Sequence, residues 1–189
     1  MSREPRRATV TYPGGIRVRL TWGVAGEAAA VFALSEAGGT LTDLGPLVGP
    51  DPDALCRAEA RVETPGGPWT VRLAARIHDE PRGLAWDDAG LLLLAYGFLV
   101  YAFEARTGAL RWSRRSGSPL VAVLGSSRLD HVLVQSEVET VAVAADGEVR
   151  WRVAHSDVVT AAELVGGRLV LTSYSGEVSG LDPATGRGA

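Results

Sequence analysis

The chain of 189 residues has no lysine, no asparagine and a single cysteine, Cys56. One cysteine excludes an intrachain disulfide and a cysteine-based zinc site. The absence of asparagine removes any acceptor for N-linked glycosylation. All 19 basic side chains are arginine, a bias that a GC-rich coding sequence explains. A formal net charge of −3 argues against a nucleic-acid partner, which would need a basic face. Long apolar runs are also missing. The longest, Leu91–Tyr101, is broken by Gly97 and falls short of the ~18 residues of a membrane span, so no membrane partner is expected. No apolar stretch follows the basic start Met1-Ser2-Arg3-Glu4-Pro5-Arg6-Arg7, which therefore does not read as a secretory signal; the expected location is cytoplasmic. There is no HExxH or EF-hand pattern and no glycine-rich phosphate loop. Gly14-Gly15 and Gly38-Gly39 read as hairpin turns, and Gly117-Ser118 and Gly125-Ser126 lack the strand-to-helix context of a nucleophile elbow. No catalytic residue is assigned.

What is present is a globular composition, 46% hydrophobic and 22% charged, with a period of two almost everywhere. Ile16, Val18, Leu20 and Trp22 alternate with Arg17, Arg19 and Thr21. Cys56, Ala58, Ala60 and Val62 alternate with Arg57, Glu59, Arg61 and Glu63, and Trp69 to Ile77 follows the same rule. These read as half-buried strands. The last two flank Thr64-Pro65-Gly66-Gly67-Pro68, a hairpin turn. Asp51-Pro52-Asp53-Ala54 could instead cap a helix through Leu55, Ala58 and Val62, but strict alternation favours the strand. Arg111-Trp112-Ser113-Arg114-Arg115 and Arg150-Trp151-Arg152 alternate as solvated outer strands.

A longer period overlies the short one. Gly108, Gly147 and Gly186 each close a polar turn and lie 39 residues apart; Trp112 and Trp151 keep the same interval. From Arg82 onward the chain reads as short strands in sets of four with tight turns between them. Antiparallel four-strand sets every ~40 residues are the signature of a β-propeller blade.

Tyr101-Ala102-Phe103-Glu104-Ala105-Arg106-Thr107-Gly108-Ala109-Leu110-Arg111-Trp112 resembles the repeat of the quinoprotein-type (PQQ-like) propeller family: a small residue, an acid, Thr-Gly, then Trp. Gly180-Leu181-Asp182-Pro183-Ala184-Thr185-Gly186 resembles it again, and the middle copy departs with Ala144 and Asp146-Gly147. The resemblance covers residues 83–186. It implies that Trp112 and Trp151 dock one blade on the next. It does not imply the quinone chemistry of the family's dehydrogenases, whose adjacent-cysteine disulfide and asparagine-containing calcium site have no counterpart here; a PQQ cofactor is not expected.

The expectation is an all-β chain, a single propeller of four antiparallel blades at about 28–77, 83–114, 120–153 and 158–182. The next Trp step falls one residue beyond Ala189, so the segment 9–22 is expected to supply the last blade's missing strand. A half-propeller with a separate N-terminal β domain, or a ring-completing homodimer in place of a monomer, is the alternative. Chain reversal at each turn puts the loop after an outer strand and the loop between strands two and three on one face. That face would carry His78, Asp79, Glu80, Glu137, His155, Asp157, Tyr174 and Glu177. His131 starts a strand at the opposite face and reads as structural. Rigid scaffolds with rings of variable loops suit recognition, so a non-enzymatic protein- or peptide-binding role is expected. The alternative is a small-molecule or divalent-metal site with hydrolase or lyase activity at His78, Asp79, His155 and Asp157.

Overall fold

The computed structural model describes residues 5–23, 41–43, 56–77 and 79–188. Three antiparallel meanders follow one another in the C-terminal two thirds of the chain. The first contains β6 (Arg82–Trp86), β7 (Leu91–Tyr96), β8 (Leu99–Glu104) and β9 (Leu110–Arg115). The next contains β10 (Leu120–Leu124), β11 (His131–Ser136), β12 (Glu139–Ala144) and β13 (Val149–Ala154). The last has three strands: β14 (Val159–Val165), β15 (Arg168–Ser173) and β16 (Val178–Leu181). Each strand lies within a residue or two of its sequence expectation.

Ahead of them stands a first sheet. Its strands are β1 (Arg6–Tyr12), β2 (Ile16–Gly23), β3 (Leu41–Asp43), β4 (Cys56–Glu63) and β5 (Trp69–Ala75), in the order β1-β2-β4-β5-β3. The preference for a strand at Cys56–Glu63 over a helix is borne out. Two expectations are corrected here. The segment 9–22 does not complete the last sheet: Pro13-Gly14-Gly15 turns β1 back onto β2, and β2 pairs with β4 with Val18 opposite Val62. The reason is local. A two-glycine turn closes this hairpin at little entropic cost, and Ile16, Val18, Leu20 and Trp22 find an apolar face on β4 and β5 beside them. The first sheet is also not a simple meander, because β3 runs parallel to β5 at its edge. Ala28–Leu34, Asp51–Ala54 and His78 lie outside the described residues.

Alternation along the inner strands distributes the core among the sheet interfaces. On β7, Leu92, Leu94 and Tyr96 face the first sheet, while Leu91, Leu93 and Ala95 face the third. On β11, Val132 and Val134 pack back on the second sheet, and Leu133 packs forward on the fourth. A strand covered on both faces must be apolar at every position, which is why Leu91-Leu92-Leu93-Leu94 reads as a continuous run. β15 differs. Leu169 and Leu171 are buried against the third sheet, but Val170 and Thr172 on the other face are only half-buried.

Each interface is closed by an indole on a glycine turn. Trp69 of β5 lies on Gly108, Trp112 of β9 on Gly147, and Trp151 of β13 on Gly186. All three glycines have positive φ (74°, 91° and 72°), and a β-carbon there would sit 2.6, 2.8 and 2.5 Å from the ring. Both backbone conformation and space therefore demand glycine. At the first two interfaces the indole Nε1 also donates to a carbonyl of the same turn, Ala105 and Ala145, at 2.9 Å each. At the third, the equivalent carbonyl of Pro183 accepts from Nε2 of buried His131 instead, at 2.8 Å. The carbonyl can only accept, so Nε2 is the donor; the other ring nitrogen, Nδ1, lies 2.8 Å from the Asp130 carboxylate. Trp151 stands edge-on to the His131 ring and its Nε1 has no partner. The opposite-face histidine is structural: it has taken over the tryptophan's hydrogen bond.

Gly147→Ala should destabilise the fold by about 3 kcal/mol in urea unfolding, combining left-handed strain with overpacking against Trp112. Gly117→Ala, in open space, should stay within about 0.5 kcal/mol. His131→Leu is close in volume but orphans the Pro183 carbonyl, and should cost about 1–3 kcal/mol in the same experiment.

Candidate binding face

The connection after each sheet and the central hairpin of the next meet on one face, as chain reversal requires. Backbone hydrogen bonds knit them together. Gly97 N–H donates to the Asp79 carboxylate (2.9 Å), Leu120 N–H to the Gly97 carbonyl (2.8 Å), and Glu137 N–H to Pro119 (3.0 Å). Val159 N–H donates to Glu137 and Tyr174 N–H to Val158, each at 2.7 Å. The face thus runs across all three sheet junctions.

Two of the acids expected there are turn anchors. Asp79 accepts from Gly97 N–H with one oxygen, from Glu80 N–H with the other, and pairs with Arg82 at 3.0 Å. The Ser175 and Ser173 hydroxyls, with the N–H groups of Ser175 (3.2 Å) and Val158 (2.7 Å) adding to them, hold the Asp157 pKa down at about 2. Each carboxylate reaches the hairpin 18 residues ahead. The 39-residue step relates these positions too: Asp79, Ser118 and Asp157 are successive members. In the middle copy serine replaces the acid, and its buried Oγ has no partner. That spacing was readable in the sequence as a sign of a structural anchor.

His155 is held differently. Gln135 and Thr140 are fully buried in the third sheet. The Gln135 amide nitrogen donates to the carbonyls of Ser136 (2.7 Å) and Glu139 (3.3 Å), so its oxygen faces Thr140 and takes that hydroxyl's only proton. Thr140 Oγ1, 2.7 Å from His155 Nε2, is left to accept. The imidazole is thereby fixed as the Nε2–H tautomer with Nδ1 carrying the lone pair. Burial lowers its pKa, with Glu139 pulling weakly the other way. Neither Gln135 nor Thr140 was recognised from sequence; a buried Gln inside an apolar strand was the available signal.

His155, Asp157 and Glu177 line one groove of about 230 Å³ between the third and fourth sheets, with Ser173 and Ser179. Tyr174 stands at its rim, 83% exposed, and Glu137 adjoins through its carbonyl. Asp79 and Glu80 belong to the junction of the first and second sheets instead. Four of the six exposed large hydrophobic side chains among the described residues, Val138, Val158, Tyr174 and Val178, lie in the hairpins, connections and strand starts at this end of the third and fourth sheets, where Val138 O accepts from His155 N–H and Val158 O from Tyr174 N–H. Sequence reading did not single out the three valines. Among the described residues, no three His, Cys, Asp or Glu side chains gather as a metal site, and no helix is long and apolar enough to cross a membrane.

Successive antiparallel sheets packed face to face, locked by Trp on Gly and presenting one face of loops, define a β-propeller-type repeat protein. The family described as outer membrane protein assembly factor BamB matches residues 68–189, well over half of the chain. The chain belongs to that family. Solved structures are similar at low identity. BamB from Moraxella catarrhalis is 18% identical with a TM-score of 0.46, over 59% of this chain and 36% of that one. The computationally designed Ika8 protein is 14% identical with a TM-score of 0.57, over 95% and 46%. A chain of a mitotic checkpoint complex is 15% identical with a TM-score of 0.52, over 70% and 48%. This chain spans less than half the length of each. No curated protein matches it.

Two titrations weaken the fold as pH falls, in different windows. With its folded pKa below the ordinary 6.5, His155 stays neutral while the unfolded chain takes up a proton, so stability is full above about pH 6.5 and falls as pH drops through it. Urea midpoints between pH 7.5 and 5 should decline, and His155→Gln, which keeps a donor for Thr140 but does not titrate, should flatten the decline. Asp157, depressed to about 2, contributes stability above the ordinary carboxylate range that is lost as pH falls toward 2.

Proposed function

We propose that this chain is a non-enzymatic binding module that takes a protein or peptide partner on the loop face of its third and fourth sheets. The observation that carries the reading is the exposure of Val138, Val158, Tyr174 and Val178 on the loop face that also holds the acid-edged groove. An aromatic side chain standing free among aliphatic ones, with polar groups around them, has the anatomy of an interaction hot spot. The scaffold beneath is rigid, because its hairpins are tied to each other and to carboxylates rather than left free. One similarly folded chain is solved within a multiprotein checkpoint complex, and the scaffold readily serves such a role.

Site-specific photo-crosslinking tests the reading. A crosslinker at position 174, in the protein expressed in its own cells, should yield a discrete protein adduct, and one at Ser127 on the opposite rim should yield none. Val158→Ser should reduce the adduct at 174 roughly tenfold, the scale of a hot-spot contact. Equal adducts from both rims would refute a dedicated face.

A further inference from the structure

The junction of the first and second sheets, at the other end of the loop face from Tyr174, holds a cavity of about 340 Å³. Ligand clefts span roughly 300–1,000 Å³ and combine apolar walls with a few placed polar groups. Among the described residues, Ala75, Tyr96, Phe98 and Leu99 wall this one, and Arg76 and Arg115 line it as well. The first sheet contributes Arg76, just past β5, and the second contributes Arg115, the last residue of β9. Tyr96 is 1% exposed, and its hydroxyl has no hydrogen-bond partner among the described residues.

The walls are set before anything binds. Gly97, in the turn between β7 and β8, has a φ of 63°, and a β-carbon there would lie 2.7 Å from that of Ala75. Its amide donates to Asp79, and its carbonyl accepts from Leu120 N–H. The carbonyl of the next residue, Phe98, accepts from Ser116 N–H at 2.7 Å. The hairpin that carries Phe98 is thus held on both sides, so a ligand would meet a formed cavity.

Arg115 supplies the chemistry. Its guanidinium carbon stands 5.6 Å from the centre of the Phe98 ring, and it has no carboxylate partner among the described residues. The other arginines of β9 are engaged: Arg111 reaches Glu104 at 3.5 Å, and Arg114 donates to the Gly147 carbonyl at 3.1 Å. The adjoining acid, Asp79, is committed to Arg82 at 3.0 Å and to the Gly97 amide. A guanidinium steadied on an aromatic ring beside an apolar cavity selects an anion with an apolar body. A single negative charge suits it, because apolar walls oppose the desolvation of a second. We propose that this cavity binds a small monocarboxylate with an apolar body, its carboxylate on the Arg115 guanidinium and its body against Ala75, Tyr96 and Leu99. The planar donors of arginine can meet both carboxylate oxygens together. The site is separate from the groove between the third and fourth sheets, so it adds a small-molecule ligand and leaves the partner-binding reading independent of it.

The test is a titration of 3-phenylpropionate into the full 189-residue chain, followed by backbone amide shifts and by melting temperature. Saturable shifts are expected at Ala75, Phe98, Leu99 and Arg115, with a rise in melting temperature. Arg115→Gln should weaken binding about tenfold, and the neutral 3-phenylpropionamide should bind the unaltered chain about tenfold more weakly than the acid. Arg111→Gln, which removes an exposed arginine outside the cavity, should leave binding unchanged. Arg115 is itself exposed, so Arg115→Gln should keep its melting temperature without ligand. The comparison of acid with amide needs no variant and decides the matter if Arg115→Gln fails to fold. Absence of saturable binding overturns the proposal, as does binding indifferent to Arg115→Gln or equal for acid and amide. Equal weakening by Arg111→Gln and Arg115→Gln also overturns it, leaving only diffuse attraction to a basic surface. Tighter binding of phenyl phosphate than of 3-phenylpropionate overturns the carboxylate assignment.

Discussion

The structure depends on an indole lying flat on a glycine turn. A sheet of four short strands cannot bury both faces alone, so its stability comes from its neighbours. The Trp–Gly contact sets the spacing and angle at which the neighbour arrives. It requires a left-handed backbone and an absent side chain at one residue, and a large flat ring 35 or 39 residues earlier. Once these are in register, the alternating faces of β7 and β11 meet apolar partners on both sides, and three separate cores form from one repeated pattern.

The repeated contact also shows where the chain departs from its own rule. At the third docking turn the Pro183 carbonyl is claimed by His131, and Trp151 keeps its packing but loses its hydrogen bond. In the middle of the loop face a serine stands where its repeats have an anchoring aspartate. Repetition makes each departure interpretable, because the other copies show what the position ordinarily does. Function is read from these departures rather than from the fold.

Much of the architecture was legible because it rests on local rules. Period-two alternation located β4 to β16 within a residue or two, and the Thr-Gly turns marked the docking points. The first sheet was less legible. Its alternating segments were recognised, but alternation says that a strand has a buried face, not which neighbour covers it. Ile16–Trp22 satisfied the requirement for a closing strand of the last sheet and equally that for a partner of β4. The nearer partner won, through a two-glycine turn that makes the hairpin local. Trp69 lay outside the Trp step of its successors, at 43 residues from Trp112, yet it docks on Gly108 as they do on theirs, because the register of the turn and not the sequence interval sets the contact.

The candidate face divides in the same way. Topology placed its loops on one side, since strand direction alone decides that. Whether a carboxylate there is free or engaged depends on which amide lies within 3 Å, and this only the folded chain decided for Asp79 and Asp157. The sequence by itself determined the repeat, the class of fold and the side from which the loops emerge, because each follows from periodicity and chain reversal. Only the tertiary structure decided which strands pair across long separations, which histidine tautomer is held and where a groove stays open. Those properties depend on distances between residues that no local pattern relates.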